Sequence, residues 1–405
     1  MAMRHLSILS LVLILFLPAE SFAGGPVYSR YGLGDLRLFS SSRGYAMGGT
    51  AIGLTGDGFI NRVNPAGNAR IAFTRFSGSF EYQNVSSSDP LGDGSFARGD
   101  VQALAVAIPI SVDRGSVITI DGAPLSAVRY KIQANDVRMG ISSRQTFSGT
   151  GGLSRLSFGT SYTIDSVVTV ALKLNYMFGR IGQNLEVDFD DPTYTDSELL
   201  HSDFYRALNV TIGAMHNISK NTTIGLIIGT PARFSIRNEN LTFSEGFLDT
   251  VTTADRSLRW PLSYGLGFSS LLNNRYVLAG DASIQEWSKA EFTAYPGVAY
   301  RNSLRLGLGL EIQPIKGSSG YWQNTFYRFG AGYYQSYLEM KGAPINEYFV
   351  TGGVGLPIGP DARLNIGLQL GTRGTSSNAL QKETFVRLGV TISASEEWFL
   401  KFEDE

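Results

Sequence analysis

The sequence predicts an all-β fold, a 14-stranded antiparallel transmembrane β-barrel with a short N-terminal hatch inside its lumen, and three observations predict it. After about residue 70, apolar and polar residues alternate with period two almost to the end, and helical periodicity is hard to find. The polar face of that alternation is rich in Gly and Asn rather than Lys and Glu, as in Leu304, Leu306, Leu308, Leu310 and Ile312 against Arg305, Gly307, Gly309, Glu311 and Gln313. An aliphatic face toward lipid and a small, polar face toward a lumen is the pattern of a membrane barrel. The third observation is an export signal at the N-terminus, after which no apolar run is long enough for a membrane helix, so that only strands could cross.

Residues 1–23 read as that signal. Arg4 and His5 precede a 12-residue apolar stretch from Leu6 to Leu17, and Ser21-Phe22-Ala23 offers a small-x-small cleavage site. An anchor helix would need roughly 20 apolar residues. The 405 residues contain no cysteine, which excludes disulfides, thiolate metal cages, a cysteine nucleophile and a lipid-modified cysteine. A net charge of −1 gives no field for nucleic acid. Glycine, at 47 residues, exceeds the usual ~7%, while charged residues stop at 17%, below the ~25% of an ordinary soluble domain.

Residues 24–69 form the expected hatch. Small residues dominate in Arg43-Gly44-Tyr45-Ala46-Met47-Gly48-Gly49-Thr50-Ala51 and again in Asn61-Arg62-Val63-Asn64-Pro65-Ala66-Gly67-Asn68, which permits close backbone contact within a lumen. The barrel then occupies 70–405, with strands expected at 70–86, 97–111, 115–137, 153–164, 166–187, 201–218, 221–243, 256–271, 275–289, 300–313, 321–340, 346–358, 361–374 and 382–395. Each exceeds the ~9–11 residues that cross a bilayer on a tilt.

Connection lengths set the orientation. Asp113-Arg114, Asp165, Ser219-Lys220, Leu272-Asn273-Asn274 and Gly359-Pro360 are short, whereas 87–96, 138–152, 188–200, 244–255 and 290–299 are longer. Short turns belong on the periplasmic side, so both termini are expected there, in a bacterial outer membrane. Ile108-Pro109-Ile110, Gln313-Pro314-Ile315 and Leu356-Pro357-Ile358 place proline at strand ends on that side, where it removes no central ladder bond. Trp260, Trp287, Trp322 and Trp398 also fall near strand ends and suggest an interfacial aromatic girdle. Lys173, Asp281, Arg305, Glu311, Arg328 and Arg387 lie on the polar faces, since a Lys or Arg at the lipid midplane costs ~2–4 kcal/mol.

Catalytic chemistry finds little support. His201-Ser202-Asp203 has the residue types of a hydrolase, but neighbours on a strand point to opposite faces. The acidic run Glu186, Asp188, Asp190, Asp191, Asp196, Glu198 and Asp203 lacks the spacing of a calcium loop and reads as a solvated loop. Gly307-x-Gly309 and Gly353-x-Gly355 open no helix and so bind no dinucleotide. No enzyme activity, cofactor or metal is expected.

The N-terminal arginine with Met47-Gly48-Gly49, the following Asn64-Pro65-Ala66-Gly67 and the strand count together resemble the FadL/TodX-type outer-membrane transporters of hydrophobic compounds, in the branch of Bacteroidetes-like bacteria. Ala123-Pro124-Leu125-Ser126-Ala127-Val128-Arg129-Tyr130, Gly149-Thr150-Gly151-Gly152-Leu153-Ser154 and Glu396-Glu397-Trp398-Phe399 are similar to that branch. The resemblance implies a plugged barrel that passively takes up long-chain fatty acids or aromatic hydrocarbons and releases them sideways where the third strand is kinked. It assigns a hatch motif to Asn64, Pro65, Ala66 and Gly67, where the hatch joins the first strand, and a lateral exit to Asp121, Gly122, Ala123 and Pro124, with a simple β-bulge as the alternative. That break is expected to be unique among the long strands, to keep face parity from Ile118 and Ile120 to Val128, Tyr130 and Ile132, and to leave Asp121 at the rim of the lumen. It places no ligand-contact residues. The implied partners are outer-membrane lipid and lipopolysaccharide and a hydrophobic small molecule, with no nucleic acid and no specified protein. Two other functions remain open: a protein-interaction barrel like the shuttle components of type nine secretion, and a general aqueous porin.

Overall fold

Fourteen staves close into one antiparallel barrel because the alternating rows leave each strand with a lipid-facing and a lumen-facing side, and closure removes nearly every edge that lipid could not solvate. The computed structural model describes residues 27–396 except 90–91, 139, 166, 245–246, 293–294, 316 and 319. The export signal 1–23, Trp398 and the C-terminal Glu397-Trp398-Phe399 lie outside the described residues.

The staves are β1 (Thr74–Asp89), β2 (Gly92–Ser111), β3 (Ser116–Pro124 continued by Ser126–Arg138), β4 (Ile141–Asp165), β5 (Val168–Phe189), β6 (Ser197–Asn217) and β7 (Thr222–Gly229 continued by Ala232–Ser244). They continue as β8 (Phe247–Trp260 and Ser263–Leu272), β9 (Tyr276–Gln285), β10 (Val298–Tyr300 and Ser303–Ile312), β11 (Phe326–Met340), β12 (Ala343–Pro357), β13 (Arg363–Gly374) and β14 (Lys382–Glu396). Each pairs antiparallel with its neighbours, and β14 returns to β1 from Lys382 opposite Ser88 to Glu396 opposite Thr74. Ahead of β1 come a two-residue strand, Asp35–Leu36, the five-residue helix α1 (Ser42–Ala46) and a 3-10 turn, Pro65–Arg70.

The predicted count of fourteen stands, but several boundaries move. The segments 87–96, 138–152 and 244–255 are mostly strand, since β1 and β2, β3 and β4, and β7 and β8 run on as long hairpins. Ladder bonds persist there through polar pairs such as Ser86 opposite Ser95, with no apolar face for periodicity to reveal. On the terminal side the β10–β11 connection, 313–325, is long and includes the turn Trp322–Asn324, while Asn273 and Asn274, at φ 50° and 52°, form the tight β8–β9 turn that asparagine tolerates.

The third stave is not the only interrupted one. β7 breaks at Thr230-Pro231, β8 at Pro261-Leu262 and β10 at Arg301-Asn302. The two prolines lack the N–H that a ladder needs.

Face assignments hold where strands are regular. Leu306 and Leu308 are exposed on the outside, while Arg305, Gly307, Gly309 and Glu311 turn toward the hatch. A Cβ on Gly307 would sit 2.6 Å from the Gly48 carbonyl oxygen, and one on Gly309 at 2.5 Å from that of Met47. Inward Gly225, Gly267, Gly330, Gly353 and Gly367 meet the hatch in the same way. Much of the excess glycine is therefore the bed on which the hatch backbone lies.

Candidate functional site

The hatch is held by buried ion pairs reaching most of the wall. Arg43 grips Glu311 of β10 with two bonds of 2.8 Å, and Glu311 also accepts from Arg328 of β11 at 2.7 Å. Asp281 of β9 accepts the backbone N–H groups of Ala51 at 2.5 Å and Ile52 at 2.7 Å. Arg305 donates to the Leu38 carbonyl at 2.9 Å, and Asp35 pairs with Arg373 of β13 at 2.9 Å. Burying charges is costly unless they are paired and hydrogen-bonded; Glu311, Asp281, Arg305 and Arg373 each meet a hatch group, and Arg328 is held by Glu311 and Asn365 of the wall.

The hatch motif is a knot of amides. The Asn64 side chain accepts from the Ala66 N–H and donates to the Ile52 carbonyl at 2.9 Å, so it caps the turn that Pro65 begins. Asn61 donates to the carbonyls of Ala51 and Leu54, and Asn68 exchanges two bonds with the Asn61 backbone. Gly67 lies where a Cβ would meet the Leu54 carbonyl at 2.7 Å. Asn61 and Asn68 flank the motif in sequence, but nothing in their spacing revealed that they tie it.

Burial alters the hatch's own titrating groups. The Tyr45 hydroxyl is pushed well up by burial and then by the nearby Glu81 charge. Tyr28 is pushed up to about 12 by burial and Glu383, against the pull of Arg373 and a bond to the Gln381 carbonyl. Burial draws Arg62 down, opposed by Asp121.

Asp121, Gly122, Ala123 and Pro124 are brought together, though not as a break. Gly122, Ala123 and Pro124 pair with Leu156, Arg155 and Ser154 of β4, and the interruption falls on Leu125, whose N–H donates to the Leu153 carbonyl at 2.8 Å. Across it the register slips, from Pro124 opposite Ser154 to Val128 opposite Gly151, beside Gly151 and Gly152 at φ 107° and 146°. Parity is exchanged at this point. Ile120 faces outward, but Val128 and Tyr130 are buried inside, leaving Arg129 and Lys131 exposed. Asp121 does face the lumen, yet it lies well inside rather than at the rim, 3.2 Å from Arg62 and 3.5 Å from Lys173, while Lys173 donates to the Arg62 carbonyl.

Above this knot the barrel wall parts. β2 pairs with β3 only from Leu104 opposite Gly122 to Ser111 opposite Ser116, so among the described residues Gly92–Ala103 has no ladder partner on the β3 side. The facing edge of β3 is capped from within by the hatch, with Asp35 opposite Ala127, Leu36 opposite Ser126, and the Arg37 N–H bonded to the Leu125 carbonyl at 2.9 Å.

Toward the end remote from the start of β1 and the end of β14 the lumen is apolar, and the described hatch begins there with Tyr28. Leu33 of the hatch shares one buried cluster with Tyr130, Leu153, Met177, Phe234, Trp260, Trp287 and Tyr337 from seven parts of the wall. Trp287 stacks on Tyr337 at 4.8 Å and meets Trp260 edge-on at 5.1 Å. Trp260 and Trp287 are thus interior residues and not girdle, because the breaks beside them turn their rings inward. Trp322 is exposed, and outward tyrosines such as Tyr82, Tyr264 and Tyr348 supply exposed aromatics on the barrel's outer wall. Beneath the cluster, a polar cavity of about 60 Å³ lies among Asp35, Arg37, Glu81, Arg98, Glu347 and Arg387, room for a few waters. His201 is bonded to Asp203 at 3.0 Å and Asn240 at 2.6 Å, while Ser202 serves Arg180 on the other face.

A family model described as BamG matches residues 1–403. No curated protein sequence matches the chain. Among solved structures, the toluene transporter TbuX of Ralstonia pickettii superposes with TM-score 0.60 at 13% identity, over 88% of this chain and 98% of that one. The toluene transporter TodX of P. putida gives 0.60 at 15%, over 88% and 98%, and a Pseudomonas aeruginosa FadL homologue gives 0.60 at 14%, over 89% and 98%. At these identities the likeness is one of fold, an outer-membrane barrel of FadL type over about nine-tenths of the chain.

Proposed function

The chain belongs to the BamG family, and from its FadL-type barrel we propose that it passively moves a hydrophobic compound across the outer membrane. The cargo is a long-chain fatty acid or an aromatic hydrocarbon, captured at the apolar outer end of the lumen and released sideways between β2 and β3 once the hatch yields. The start of β1 and the end of β14 then lie at the periplasmic rim, while the described hatch starts at the opposite end, where Tyr28 bonds the Gln381 carbonyl, so the expected placement of both termini on one side does not carry over to the start of the hatch. The observation that carries this reading is the open edge of Gly92–Ala103, beside an apolar interior that the hatch seals. An unpaired backbone group facing lipid costs several kcal/mol, so such an opening persists where cargo, hatch or water can occupy it. Two of the structures the chain superposes on are described as toluene transporters, which supports an apolar cargo.

The exit moves from the paired residues Gly122-Ala123-Pro124 to the parting just above them. The absence of cysteine makes the test clean. Cysteines at Ala103 and Ala123, next beyond the Leu104–Gly122 rung, are expected to stop fatty-acid uptake into liposomes when cross-linked and to restore it on reduction. Wild-type uptake through the cross-linked barrel would place the exit elsewhere.

A protein-interaction barrel is a second reading, favoured by an apolar groove of about 750 Å³ on the outer face of β8–β11, where Gly280, Ala282 and Ala331 lie low between Phe268 and Leu308. Mass spectrometry of co-purifying lipids, set beside pull-down with secreted C-terminal domains, separates the two. A general porin is disfavoured by the hatch and the small polar cavity beneath the apolar cluster.

A further inference from the structure

On four adjacent staves the outward apolar row ends in arginine at the end of the barrel remote from the start of β1 and the end of β14. Phe178 is followed by Arg180 on β5, and Leu208 by Arg206 on β6. Beyond the breaks, Ile228 gives way to Arg233 on β7 and Tyr264 to Arg259 on β8, and Arg237 stands two outward positions above Arg233. All five are exposed. Register makes them neighbours: Arg206 faces Ser235, which lies between Arg233 and Arg237, and Arg180 and Arg237 both sit over the Phe204 ring, at 5.6 and 5.0 Å.

The cluster is under-compensated. Arg237 pairs with Glu239 at 3.0 Å and Arg180 donates to Ser202 at 2.9 Å, but among the described residues Arg206, Arg233 and Arg259 are matched by no carboxylate. Arg233 stands directly opposite Arg259. Like charges in that position destabilise a ladder, and an anion between them removes the penalty. Across β11–β14 a comparable outward row, Tyr333, Tyr348, Thr372 and Thr384, is uncharged. Outward basic residues continue on β3 with Arg129 and Lys131, so the basic surface lies on the β3–β8 side of the barrel, at the border between apolar surface and headgroup level, where guanidinium groups can grip phosphate bidentately while the apolar row below meets acyl chains.

We propose that Arg206, Arg233 and Arg259, flanked by Arg180 and Arg237, form a binding site for the phosphorylated headgroup of an outer-leaflet lipid. The site rests on the membrane placement proposed above, with the start of β1 and the end of β14 periplasmic, and not on transport. Its test reads binding directly, so a failed uptake assay leaves it standing. The probes are monophosphoryl lipid A, the same lipid with its phosphate removed, and inorganic phosphate, each added to the full-length detergent-solubilised barrel and followed by native mass spectrometry. The phosphorylated lipid is expected to bind the wild type, and binding to fall by about tenfold or more in Arg206→Ser/Arg233→Ser/Arg259→Ser. Lys382→Ser, on the far side, is expected to leave it unchanged. Heat-modifiable migration on gels confirms that each variant is folded. Equal binding of the dephosphorylated lipid, equal binding by the triple variant, or displacement of the lipid by an equal concentration of inorganic phosphate would each overturn the site.

Discussion

Replacing Glu311 by alanine is expected to loosen the hatch more than any other single change in the lumen. Its carboxylate is fully buried and holds Arg43 of the hatch and Arg328 of the wall at once. Removing it leaves two buried guanidinium groups facing each other, a loss on the order of 3–5 kcal/mol. Unfolding in denaturant should shift accordingly, and the purified barrel in a planar bilayer should pass current that the wild type does not. Glu311→Gln, which keeps shape and some hydrogen bonding, should lie between. If stability and conductance both match the wild type, the triad does not hold the plug.

Two adjacent residues of β10 should fail in different ways. Leu306→Arg places a cation on the lipid face and should weaken folding into bilayers by ~2–4 kcal/mol, with the hatch undisturbed in whatever fraction folds. Gly307→Ala should insert normally, yet its new methyl would stand 2.6 Å from the Gly48 carbonyl oxygen and lift the hatch from its bed. Folding yield into vesicles reads the first and single-channel current the second. Identical phenotypes would mean that the faces of this stave are misassigned.

Period-two alternation made fourteen staves legible because lipid on one side and a tight lumen on the other constrain every second residue. The charges at Asp281, Glu311 and Arg328 were recognisable as inward for the same reason. Register was not legible. The interruption at Leu125 depends on how β3 meets β4, and its sign in the sequence was the Gly151-Gly152 pair on the partner strand rather than Pro124. Trp260 and Trp287 were misread because a position near a strand end can face either the interface or the interior, and Pro261 tips the choice inward. The Asn61–Asn68 exchange is a contact between two loop amides, and loop amides carry no periodicity from which a partner could be inferred.

The parting between β2 and β3 also changes what kind of object the barrel is. A closed ladder is a hoop: it can widen only by breaking rungs in the hydrocarbon, where nothing replaces them. Here one arc of the ring, along Gly92–Ala103, contributes no rungs to β3 among the described residues, and the opposing edge is clasped instead by the hatch, through Ser29 at Arg129, the strand Asp35–Leu36 and Arg37 at Leu125. The wall is mechanically a clip. Releasing these few hatch residues lets its jaws spread on one side while the seam between β14 and β1 and the other ladders stay intact, so girth and leak-tightness are set at different places in the ring.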